Sequence, residues 1–181
     1  MFGSVVKWKL SSQDRLDRLA RSIEAIGGRD QRMMDEAAIV DRLRIEGALG
    51  LYAIVRKFVD ELNSRLAEPA LLLDPPSFAE EAFDDCRPNL LQISLRGRLL
   101  QLEYTATDEL YSTEDYRHRY VLRGGMRSFN QNFLELDTVD EQQIFFCPSE
   151  TGARWHFFDP RTYRTGLVTV DYLAAELERL L

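Results

Sequence analysis

The sequence predicts an α+β fold: two N-terminal helices, the second long and central, packed on a six- to seven-stranded mostly antiparallel sheet, with a C-terminal helix. Three observations predict it. Apolar residues recur at helical spacing up to about residue 66, the period falls to two after residue 90, and the last dozen residues return to helical spacing. With 181 residues, 45% hydrophobic and 29% charged, the chain is long enough to bury a core and has ordinary globular composition. One domain over 1–181 is expected. Its parts are a helical region (1–68), a proline-rich acidic connection (69–89), and the sheet with its closing helix (90–181).

The first helix is signalled by Ser11 or Ser12 as cap, by Asp14 and Asp17 near its positive end, and by Leu16, Leu19, Ala20, Ile23 and Ile26 on one stripe. That stripe is expected to be buried, and Gly27-Gly28 to stop the helix. The second helix is expected from about Gln31 to Leu66. Its later half carries Ile45, Ala48, Tyr52, Val55, Val59, Leu62 and Leu66 in steps of three and four, widened by Leu49, Leu51, Ile54 and Phe58. A helix apolar on so wide an arc is buried on more than one side. It lies against the sheet or forms a homodimer interface through residues 45–66. Gly47 and Gly50 mark a kink or a close approach of another element.

Between 69 and 89, Pro69, Pro75, Pro76 and Pro88 punctuate an acidic stretch with a short helix near 78–83. Three hairpins follow. Arg96-Gly97 turns the first, pairing Leu91 with Leu102 and Ile93 with Leu100, with Gln92/Gln101 on the other face. Gly124-Gly125 turns the second. Tyr116, His118, Tyr120 and Phe129 fall on its core face, and Arg117, Arg119, Arg123, Asn130 and Asn132 on its solvent face. Thr151-Gly152 turns the third, setting Cys147 opposite His156. A short strand near 163–168 and a helix capped by Thr169 close the chain.

The net charge of −7 argues against nucleic acid and anionic membranes. The longest apolar runs are too short for a membrane span. Nothing at the N-terminus reads as a signal peptide, so the cytoplasm is the expected compartment. Two cysteines 61 positions apart and two histidines do not supply a structural zinc site, so no metal or cofactor is expected and both thiols should be free.

Three functions fit. The leading one is a non-enzymatic intracellular protein-interaction module of the adaptor, chaperone or immunity-like kind. Arg117, Arg119, Arg123, Asn130 and Asn132 form its binding face, since guanidinium forks and amides at fixed spacing suit carboxylates, phosphates or an acidic peptide. The second is a small-ligand-binding domain with a pocket between long helix and sheet lined by Tyr104, Tyr120, Phe129 and Trp155. The third is an enzyme using Cys147 and His156 as nucleophile and base. The sequence leans against it. No glycine-rich elbow or helix start follows Cys147, and Pro148 removes the next backbone N–H. His118 reads as an interior histidine, and the Asp84-Asp85 and Asp140-Glu141 pairs as solvated charge.

Overall fold

The computed structural model describes residues 12–113, 116–130 and 141–181. The chain divides into two compact units, Met1–Ile39 and Val40–Leu181. Helix α1 (Ser12–Asn63) supplies the described part of the first unit and the first element of the second. The two expected N-terminal helices are therefore one. Gly27 and Gly28 do not end it, because neither adopts the positive φ of a helix-stopping glycine. A glycine of helical φ keeps its N–H and C=O in the ladder and costs only about 1 kcal/mol. Leucine, glutamate, arginine and alanine on both sides carry the helix through.

In the second unit the strands are β1 (Leu72–Asp74), β2 (Asn89–Leu95), β3 (Arg98–Tyr111), β4 (Tyr120–Asn130), β5 (Glu141–Cys147), β6 (Arg154–Asp159) and β7 (Arg164–Leu167). They form one sheet in the order β1-β2-β3-β4-β5-β6-β7, every neighbouring pair antiparallel. Helix α2 (Val170–Glu178) follows, with the Thr169 side chain accepting the Tyr172 N–H as its cap. A single 3₁₀ turn, Glu80–Ala82, stands where a short helix was expected.

The first hairpin has the expected register: Leu91 faces Leu102, Ile93 faces Leu100 and Gln92 faces Gln101. Arg96 (φ 44°) and Gly97 (φ 82°) are both left-handed, as a two-residue turn matched to strand twist requires. The second hairpin does not exist. Gly124 and Gly125 lie mid-strand in β4, where Gly124 faces Tyr104 on β3 and Ile144 on β5. A Cβ on Gly124 would fall 2.1 Å from the Glu103 carbonyl oxygen. This glycine serves a close backbone approach rather than a turn. The third hairpin pairs Phe146 with Trp155 and Phe145 with His156, two residues from the expected register.

The core of the second unit lies between residues 40–63 of α1, one sheet face and α2. Ala48, Leu51, Val55, Phe58 and Val59 meet Leu91, Leu100, Leu102, Leu122, Ile144, Trp155 and Leu173 there. The wide apolar face expected over 45–66 is thus largely covered by this unit's own sheet. Gly47 makes the approach close, since a Cβ there would lie 2.6 Å from both Leu122 Cδ1 and Phe146 Cδ1. The Trp155 indole N–H donates to the Gly47 carbonyl at 2.7 Å, joining α1 to β6. A smaller cluster of Tyr116, Tyr120, Phe145, Cys147 and Phe158 forms separately.

Candidate functional site

The expected Arg/Asn face is not one face. Arg117 and Arg119 are exposed in the irregular segment before β4. Arg123 is exposed on β4, and Asn130 ends that strand beside the Leu180 carbonyl at 3.5 Å. Seven residues of strand separate Arg123 from Asn130, about 23 Å, and an odd spacing puts them on opposite faces. Asn132 lies outside the described residues. The grouping followed from a turn at Gly124-Gly125, and it dissolves with that turn. What β4 presents instead is Arg127, bridging Glu141 at 3.1 Å and Glu103 at 3.9 Å.

Cys147 pairs with Arg154, and His156 sits two rungs along on the same face, opposite Phe145. Such diagonal neighbours are about 7–8 Å apart at Cα. The Cys147 thiol is buried against the Tyr116 hydroxyl at 3.3 Å, while the His156 ring stacks on His118 at 6.2 Å. Burial raises the Cys147 pKa, and Tyr116 opposes that only in part. Burial, with His118 and Arg154 nearby, lowers that of His156. Both shifts disfavour the thiolate–imidazolium pair a nucleophile needs. Native protein should therefore offer one thiol per chain, the exposed Cys86, to a disulfide reagent, and a second only on unfolding. Rapid labelling of both thiols in native protein would return Cys147 to consideration as a nucleophile.

An apolar groove of about 360 Å³ does lie between α1 and the sheet. Gly50, Ile54, Phe146, Trp155, Leu167 and Val168 line it, with Lys57 and Arg154 at its margin. Of the expected pocket residues only Trp155 belongs to it. Tyr104 packs edge-on against that tryptophan in the core, and Phe129 pairs with Leu99 on the strand beyond. Asp84, Asp85 and Cys86 are the one acidic–thiol group of metal-ligating size among the described residues. Asp84 is already engaged by the Cys86 and Arg87 N–H groups, each at 2.9 Å, and by the Arg87 side chain. That is the geometry of a self-satisfied turn.

The largest departure from expectation is the N-terminal stripe. Leu16 (61%), Leu19 (56%), Ile23 (60%), Ile26 (56%), Met33 (68%), Met34 (68%) and Ile39 (53%) are all more than half exposed. Periodicity found the stripe, and its burial was the error: a 3.6-residue repeat reports that a helix has an apolar side, not that this chain covers it. At 100° per residue, all of these except Ile39 fall within an arc of about 100°. Arg21 and Arg32 occupy the opposite side, each bonded back to a helix carbonyl. No protein-family model, curated protein or solved structure matches the chain.

Proposed function

We propose that this chain is a protein-interaction module whose docking surface is the apolar stripe of α1 from Leu16 to Met34. One observation carries the reading: six large apolar side chains, 56–68% exposed, aligned on one side of one helix. Scattered exposed leucines are normal, whereas a contiguous apolar strip marks an interaction surface. Helical stability in proteins comes chiefly from packing an amphipathic face. A second amphipathic helix laid along the stripe supplies that packing, the helix-in-groove mode of recognition. The adaptor-like expectation is kept, and its surface moves from the dispersed arginines of β4 to the helix.

Site-specific photo-crosslinking in the protein's own cells tests this. A photoreactive side chain at Leu19 or Ile26 should form protein adducts, and the same group at Arg21 should not. Adducts at neither stripe position, or equally at Arg21, would overturn the reading.

A further inference from the structure

Resting on that reading, we infer that the stripe's occupant is the same stripe of a second copy, running antiparallel. The stripe follows the seven-residue repeat of a two-helix seam. Leu16, Ile23 and Asp30 fall at its first core position, and Leu19, Ile26 and Met33 at its second. Arg15, Ser22, Arg29 and Glu36 flank it on one side. Ala20, Gly27 and Met34 flank it on the other side, the first two small enough for close contact.

Asp30 and the flanking charges decide direction and register. A parallel pair sets every core position against itself, so Asp30 would meet Asp30 of the second copy inside the seam, a like-charge contact in a place drying on assembly. An antiparallel pair avoids this. With Ile23 opposite Ile26 of the second copy, Leu16 lies opposite Met33 and Leu19 opposite Asp30. The flanks then bring Arg15 against Glu36 at both ends, and Ser22 against Arg29 between them. Sliding the copies by one heptad opposes Arg29 with itself in one direction, and Arg15 with Arg29 in the other. Only the first register opposes no like charges, and it pairs Arg15 with Glu36 at both ends, over about 32 Å of helix. Asp30 against leucine lowers affinity in that register, the usual effect of a polar core residue that fixes alignment.

Sedimentation equilibrium on the full chain tests the inference. Wild type should reach twice the 21.0 kDa chain mass as concentration rises. Ile23→Asp with Ile26→Asp should weaken association by about 100-fold or more. Arg15→Glu and Glu36→Arg, both at exposed positions, should each weaken it by about tenfold, because each opposes like charges at both ends. An equimolar mixture of these two variants should recover wild-type affinity. In the mixed pair the two substituted side chains, of opposite charge, meet at one end, and the unsubstituted Arg15 and Glu36 meet at the other. A wild type that stays monomeric, a dimer indifferent to the charge changes, or a mixture no tighter than either variant would overturn the inference. If wild type is monomeric while Leu19 and Ile26 crosslink to a different protein, the docking reading stands and the second copy does not. If they crosslink to nothing, the docking reading itself falls.

Discussion

Gly124→Ala is expected to cost the 40–181 unit about 3 kcal/mol or more. The new Cβ would sit 2.1 Å from the Glu103 carbonyl oxygen and 2.8 Å from Tyr104 Cα. Both are backbone atoms of β3, locked to β4 by ladder pairs from Arg98↔Asn130 to Ala106↔Leu122. Neither can swing aside, so relief requires spreading two strands of the sheet. Gly125→Ala is the control. Its Cβ would meet the Glu141 carboxylate at 2.4 Å, the end of a flexible side chain whose ion pair with Arg127 is exposed. Moving it should cost under about 1 kcal/mol. Urea denaturation followed by circular dichroism measures both. Equal costs would mean that backbone clearance is not why Gly124 is a glycine.

Trp155→Ala is expected to cost about 4 kcal/mol, within the range of buried aromatic truncations. Trp155 is 2% exposed and touches three elements at once. Its ring meets Tyr104 of β3 edge-on and Phe146 of β5 at a tilt, each at 5.6 Å between centroids, and its N–H reaches α1. Trp155→Phe keeps most of the apolar contact and loses the bond to Gly47, so about 1 kcal/mol is expected. The difference between the variants separates packing from hydrogen bonding. Set against the roughly 5–15 kcal/mol typical of a domain, the alanine variant should lose between about a quarter and most of the unit's stability. An alanine variant no worse than the phenylalanine one would show that the helix–sheet junction does not depend on this ring.

Local chemistry explains why some elements were legible in the sequence and others were not. The β2–β3 hairpin was, register included, because everything specifying it lies within residues 89–104: alternating side chains and a turn dipeptide of left-handed residues. The C-terminal helix was legible through Thr169 for the same reason. β4 was not, because Gly124-Gly125 has the local signature of a turn while its requirement comes from Glu103 and Tyr104, far back along the chain. The continuity of α1 was missed because a glycine pair halts a helix only when its backbone turns left-handed, which composition does not report. The candidate sites inherited these errors. The arginine grouping depended on the false turn. The Cys147–His156 pair kept its shared face but lost direct opposition through a two-residue shift, and only the third dimension shows a thiol sealed against Tyr116. The N-terminal stripe was visible in every residue, and misread only as to what lies over it.

The strand order repeats the chain order, and this has a kinetic consequence. Each strand finds its partner in the segment just before or after it, so no pairing waits for distant parts of the chain to meet. Such a topology has low contact order for an all-antiparallel sheet, which favours rapid folding and brief exposure of unpaired strands. The two strands that end the sheet, β1 with three residues and β7 with four, offer little unpaired backbone for another chain to extend. Growth by strand addition is thereby blunted at both margins.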